Sequence, residues 1–179
     1  MLNSTNTALV IVDVQGKLAQ IMDQKDVLFS NLETIVRGAK ILDLPIVWVE
    51  QIPKKLGPTI PQIADQLHDH QPIAKNSFSC YKSSEFVEAL AETGCKNVIL
   101  VGIEAHICVY QTVREMINAG YHVEVISDAV SSRNPQNKQV ALNKLQQAGA
   151  ELSCTEMVLF ELQEIAEGER FKQILSIIK

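Results

Sequence analysis

Three side chains in this 179-residue sequence have the types that acyl-transfer chemistry uses: a carboxylate at Asp13, an ammonium at Lys75 and a thiol at Cys108. A thiol attacks as its thiolate, a neighbouring carboxylate can take its proton, and an ammonium sets the charge balance of both. Asp13 closes the apolar run from Thr7, and Lys75 ends the short stretch Pro72-Ile-Ala-Lys75. Cys108 follows a second apolar run, Val98 to Val101, just where Val109, Val113, Met116 and Ile117 begin a helical spacing. A thiol at a helix start meets unpaired N–H groups and the positive end of the helix dipole, which favour thiolate. Each residue also has an ordinary role: a buried cysteine packs as a small hydrophobe, an aspartate ends a strand or caps a helix, and a lysine is a solvated charge.

For the three to meet, they must leave their elements on one side of one sheet. Thr7 to Val14 is a continuous β-branched apolar run, the pattern of a strand buried on both faces. Asp26 to Leu42 has the three-and-four spacing of an amphipathic helix, and Pro45 to Glu50 reads as a second strand. Gln51 to Gln71 holds three prolines and Gly57, so loop is expected there with a short helix at Thr59 to Leu67. A helix from Ser83 or Ser84 through Thr93 ends at Gly94. Gly102 is expected to break the strand that opens at Val98, and a helix from about Ile107 stops at Gly120. Tyr121 to Ile126 alternates and closes at Ser127-Asp128; a helix follows from Asn134, then a last short strand, Ala150 to Cys154. Two amphipathic helical segments, Val158 to Ile165 and Phe171 to Ile178, end the chain. Strands alternating with helices at crossover length mean an α/β, doubly wound parallel sheet. In such a sheet the first strand and the Val98 strand flank the switch point, where ligands bind beyond the carboxyl ends.

Composition narrows the rest. Hydrophobic residues at 46% and charged residues at 21% are those of an ordinary globular protein, and the length suits a single domain over 1–179. A net charge of −5 argues against a nucleic-acid partner, which calls for a basic stripe. No stretch reaches the roughly 18 apolar residues of a membrane span. The first seven residues lack a signal-peptide pattern, and the four cysteines have no paired spacing. A reduced, cytoplasmic setting is expected, with Cys80, Cys95 and Cys154 structural. A phosphoacceptor receiver, which also pairs Asp with Lys on a parallel sheet, needs clustered carboxylates for magnesium; Val14-Gln15-Gly16 does not provide them.

Five motifs in order give the chain a family resemblance. They are D-x-Q at Asp13 and Gln15; K-x-x-x-S-x-[FY] at Lys75, Ser79 and Tyr81; G-I-E-A-x-x-C at Gly102 to Cys108; D-A-x-x-S-R at Asp128 to Arg133; and A-L-x-x-L-x-x-x-G-A at Ala141 to Ala150. Over nearly its whole length the sequence resembles the isochorismatase-like cysteine hydrolases. The segment Glu50 to Thr59 brings it nearest the subgroup of isochorismatase domain-containing proteins. The resemblance implies a three-layer α/β/α fold whose six-stranded parallel sheet has the order 3-2-1-4-5-6, and a triad of Asp13, Lys75 and Cys108. It further implies a cis peptide at Ile103–Glu104, with the N–H groups of Glu104 and Cys108 forming an oxyanion hole. Gln15, Gln51, Phe78, Tyr81 and Ile107 are expected around a small-molecule substrate.

The sequence departs from two branches of that family. The nicotinamidase branch holds a metal through an Asp and two His after the second strand. Here Glu50 to Gly57 has no histidine, Ile52 stands where a ligand would be, and His68 and His70 fall in a polar loop. No catalytic metal and no cofactor are expected. True isochorismatases, which cleave a vinyl ether, typically lack the cysteine; its presence favours an amide, carbamoyl or related acyl bond. His106 is two residues from Cys108, too close in a helix to face it. A homo-oligomer is expected, with the amphipathic C-terminal segment as its candidate surface. The competing reading is a binding or scaffold protein that kept the fold and the triad.

Overall fold

The computed structural model describes residues 1–178. After a 3-10 turn, β1 (Thr7–Val12) leads through α1 (Gly16–Gln20) and α2 (Lys25–Ile41) to β2 (Ile46–Gln51). Two one-turn helices, α3 (Pro53–Leu56) and α4 (Pro61–Ala64), precede β3 (Ile73–Lys75), α5 (Ser84–Glu92) and β4 (Asn97–Ile103). Next come α6 (Tyr110–Asn118), β5 (His122–Ser131), α7 (Pro135–Gln147) and β6 (Glu151–Ser153), then α8 (Thr155–Gln163) and α9 (Gly168–Ile177). The six strands are all parallel, in the order β3-β2-β1-β4-β5-β6.

The continuous apolar runs of β1 and β4 follow from helices on both sheet faces. Leu9, Ile11, Ile99, Val101 and Ile103 pack against Leu32, Ile35 and Val36 of α2 and against α8 and α9. Ala8, Val10, Val12, Val98 and Leu100 face Phe86 and Leu90 of α5, Val113 and Met116 of α6, and Leu142 and Leu145 of α7. Alternate residues of one strand thus enter two separate cores, so neither face has a use for polar side chains.

Several elements differ from the sequence expectation. The loop after β2 holds two four-residue helices, each begun by a proline at its first turn, instead of one from Thr59 to Leu67. β5 does not close at Ser127-Asp128 but runs to Ser131, because its pairing with β4 slips between Leu100 and Gly102 and resumes at Gly102 with Val130. α8 and α9 spend their apolar face inside the chain: Leu159, Leu162, Ile174 and Ile177 belong to the α2 core. The amphipathic C-terminal segment therefore packs into the core on one side and leaves Met157, Ile165 and Leu175 exposed on the other.

Gly102 is likewise not a strand terminator. It lies within β4 at φ 118, and a Cβ there would meet the carbonyl oxygen of Val12 at 2.1 Å. The glycine lets β4 pass close to the backbone just before Asp13. Gly102→Ala is expected to cost roughly 3 kcal/mol or more, from the disfavoured φ and a clash with backbone that cannot swing aside. A urea midpoint equal to that of the unsubstituted protein would contradict this reading.

Candidate active site

Asp13, Lys75 and Cys108 all leave their elements at the carboxyl edge of the sheet. Asp13 is the first residue after β1, where the backbone enters the left-handed region at φ 53; aspartate is among the few residues that tolerate this. Lys75 is the last residue of β3. Cys108 lies in a π-helical turn, Ala105–Val109, between β4 and α6. Such turns are frequent at functional sites.

Lys75 holds the group together. Its Nζ donates to Asp13 Oδ2 at 2.7 Å, to Gln51 Oε1, and to the carbonyl oxygens of Ser77 and Phe78, each at 3.1 Å. An ammonium has three protons, and four acceptors surround it, so none is left for a ligand. The Lys75 and Asp13 side chains are 0% and 1% exposed. Asp13 Oδ1, by contrast, is buried without a hydrogen-bond partner. One carboxylate oxygen is anchored and the other is left to accept a proton.

Burial pushes the Asp13 carboxyl above its ordinary value, with Lys75 pulling against the rise. Burial, and then the negative charge of Asp13, push the Cys108 thiol well above its ordinary value, with Lys75 opposing. The helix-start amides and Lys75 are expected to favour the thiolate; burial and the Asp13 charge outweigh them. Cys108 therefore rests as a thiol beside Asp13, whose Oδ2 is held by Lys75. Burial also pushes the Cys80 thiol up to about 12.

The Ile103–Glu104 peptide is cis. The Glu104 N–H has no acceptor among the described residues. The Glu104 carboxylate turns away and accepts from Arg133, from its backbone N–H at 3.1 Å and its Nε at 3.0 Å. Both residues of the Glu104–Cys108 segment expected to offer N–H groups border one cavity. It measures about 100 Å³ and is lined by Asp13, Leu18, Gln51, Leu56, Phe78, Ile103, Glu104, Ile107 and Cys108.

Of the five residues expected around the substrate, Gln51, Phe78 and Ile107 line that cavity, while Gln15 and Tyr81 do not. Gln15 is fully buried one layer behind. Its Oε1 accepts from the Gln51 N–H at 2.6 Å and its Nε2 donates to the carbonyls of Gln51 at 3.2 Å and Gly57 at 2.7 Å. Gln15 positions Gln51, which in turn bonds Lys75. Tyr81 is turned outward into edge-to-face contacts with Phe86 and Tyr121. It points that way because Ser79 caps the Cys80–Lys82 turn and Thr112 Oγ1 fixes the Cys80 N–H at 2.9 Å.

Sequence reasoning missed Leu18, Leu56 and Ile103 as cavity walls and Arg133 as the partner of Glu104. Leu18 and Leu56 are brought together by Gly16, where a Cβ would meet the Leu56 carbonyl oxygen at 2.2 Å. The glycine after Asp13-Val-Gln was a visible signal for that approach. Arg133 stood inside a recognised motif without an assigned role. His106 faces away from Cys108: its Nδ1 lies 2.9 Å from Ser132 Oγ, and it borders a separate groove of about 230 Å³ with Tyr110, Asn137 and Lys144.

The family model for the isochorismatase domain matches residues 7–157. The chain belongs to the isochorismatase family. It is 34% identical over 178 residues to isochorismatase domain-containing protein 2 of Danio rerio, covering 99% of this chain and 89% of that one. A solved structure named as the MAR1 ribonuclease from Caenorhabditis elegans superposes with a TM-score of 0.92 at 35% identity, covering 99% of this chain and 91% of that one. The YcaC gene product of Escherichia coli, described as an octameric hydrolase of unknown specificity, superposes at 0.93 with 25% identity, covering 98% and 88%. Set against the metal-binding branch of the isochorismatase family, Ile52 stands on the loop after β2 in the left-handed region at φ 37. His68 is exposed, and His70 is half-buried with its Nδ1 unpartnered, so only the first is solvated as expected. Neither borders the Cys108 cavity.

Proposed function

We propose that this isochorismatase-family chain is a cysteine hydrolase that cleaves an amide, carbamoyl or related acyl bond of a small neutral molecule. The observation that carries the reading is the unpartnered Oδ1 of buried Asp13 in the cavity that Cys108 shares, with Oδ2 locked to Lys75. Asp13 takes the thiol proton as Sγ attacks the carbonyl carbon, so no standing thiolate is needed. The N–H groups of Glu104 and Cys108 receive the oxyanion. The tetrahedral adduct collapses to a thioester as Asp13 returns the proton to the leaving nitrogen. Water then loses a proton to the same carboxylate, attacks the thioester, and releases the acid and the thiol.

The cavity also supports a substrate class. Its walls are mainly Leu18, Leu56, Phe78, Ile103 and Ile107. No lysine or arginine among the described residues lines the cavity, and Lys75, the cation behind Asp13, is engaged by its four acceptors. An anionic substrate would meet the Asp13 charge without a counter-ion. The absence of a cation from the cavity lining argues against phosphodiester chemistry, although one neighbour is named a ribonuclease.

Neutral carboxamides, ureides and esters should be favoured over analogues carrying a carboxylate by about 10²-fold in kcat/KM, the scale of a desolvated like-charge contact. Activity should fall as pH drops through the Asp13 pKa, with the midpoint of that limb above the ordinary carboxyl value of 3.8. A panel that turns over carboxylate-bearing substrates as well as neutral ones would remove the substrate class. A binding or scaffold role accounts for neither the free carboxylate oxygen nor the thiol beside it.

Homo-oligomerisation belongs to the same reading. Phe78, a wall of the cavity, is 57% exposed at its mouth, and an octamer is described for the Escherichia coli neighbour. No helix among the described residues is long and apolar enough to cross a membrane. All four cysteines are free, in keeping with the reducing, cytoplasmic setting we propose.

A further inference from the structure

At the end of the sheet remote from Cys108, β5 and β6 bring together three side chains that the proposed hydrolysis does not use. His122 and Glu124 stand two residues apart on β5, hence on one face. Glu151 of β6 is the register partner of Glu124. One nitrogen of His122 and one carboxylate oxygen from each glutamate lie within 4.8 Å of one another. We propose that His122, Glu124 and Glu151 form a binding site for a divalent first-row transition ion, with Zn²⁺ as the representative.

Glu124 is the second observation that points to a ligand. It is only 4% exposed, and among the described residues no ion pair reaches its carboxylate. The one ion pair in the group joins His122 and Glu151 at 3.6 Å and leaves Glu124 out. Ser153 Oγ, two residues beyond Glu151 on the same strand face, is buried and without a hydrogen-bond partner of good geometry. A carboxylate buried this far without an ion-pair partner is costly and calls for a proton or a cation. Among the described residues no lysine or arginine fills that role, whereas a dication would cancel the two carboxylate charges and take the imidazole as a neutral ligand.

The spacing is compatible with a modest closure. Ligands of a tetrahedral ion with bonds of about 2.0–2.1 Å stand roughly 3.4 Å apart, so the side chains would draw in by about 1 Å, with water completing the shell. The role is structural. β6 is a three-residue edge strand, joined to β5 by a short ladder and by the Ser127 hydroxyl on the Ser153 carbonyl. An ion bridging His122 and Glu124 to Glu151 clamps that edge, where a sheet is otherwise open to fraying and mispairing.

Metal-stripped full-length protein titrated with ZnCl₂ against a chromophoric chelator tests the site. His122 is half-exposed and Glu151 exposed, so H122A and E151Q are expected to fold. The unsubstituted protein should take one ion per chain; each variant should bind at least about tenfold more weakly, the scale on which even outer-shell changes act. C108A should bind as tightly as the unsubstituted chain, which separates this site from a thiol. Zn²⁺ should also raise the thermal midpoint of the unsubstituted chain and leave that of H122A unmoved. Binding by the unsubstituted protein no tighter than by H122A and E151Q, or binding that disappears in C108A, would overturn the proposal.

Discussion

Cys108→Ala should lower the hydrolysis of any accepted neutral amide or ester by about 10⁴–10⁶-fold, the range seen when a nucleophile is taken from an assembled triad. The loss should fall on kcat, because the thiol is a small part of the cavity wall and the apolar residues that hold the substrate stay in place. The fold should survive. Cys108 is 8% exposed and borders a cavity, so removing its sulfur leaves a gap that already opens on solvent. A variant that keeps its melting temperature and its affinity for a product acid, while losing turnover, is the expected outcome. Turnover retained within tenfold would show that another group performs the attack.

Lys75→Met should be damaging in a different way. The methionine fills the space of the lysine stem but leaves Asp13 buried without a cation, a defect that costs about 3–5 kcal/mol while Asp13 stays ionised. The sign of its pH dependence follows from the direction of the Asp13 shift. Its folded pKa already lies above the ordinary 3.8, and removal of Lys75, the main influence pulling it down, raises it further. A group with a raised folded pKa contributes its stability below the unfolded pKa and loses it as pH rises through the folded one. The gap in unfolding free energy between Lys75→Met and the unsubstituted protein should therefore be small near pH 4 and widen toward pH 8. Turnover should fall as well, because protonated Asp13 is no base. Urea denaturation across that range is the check; a constant gap would mean that Lys75 acts through packing alone.

Much of this arrangement could be read from residue order. The apolar runs of β1 and β4 announced strands buried on both faces, and helix-length crossovers between them required a parallel sheet. Once those strands flank the switch point, Asp13 and Cys108 must stand near one another. Gly102 misled because a glycine after an apolar run looks like a stop. It is instead a place where two backbones nearly touch, and only the neighbouring strand's position reveals that. Gln15 and Tyr81 stand in motifs around the site, but motif membership carries no direction: one side chain turned inward to hold Gln51 and the other outward onto two aromatic rings. The protonation of Cys108 was illegible for a related reason. Helix-start amides are a sequence-local influence, whereas desolvation and the Asp13 charge arise from packing by distant segments, and packing prevails. The His122, Glu124 and Glu151 cluster depends on the register between β5 and β6, which no spacing along the chain encodes.

The central claim is that Cys108 Sγ becomes acylated while the other three cysteines do not. Intact-mass and peptide mass spectrometry on protein acid-quenched within the first turnover of a small activated neutral ester tests it directly, since a good leaving group lets the acyl-enzyme accumulate. One acyl group per chain on the peptide containing Cys108, absent from Cys108→Ala and formed at the rate of the product burst, is the predicted result. Product released without any acyl adduct, or an adduct carried by Cys80, Cys95 or Cys154, would contradict it.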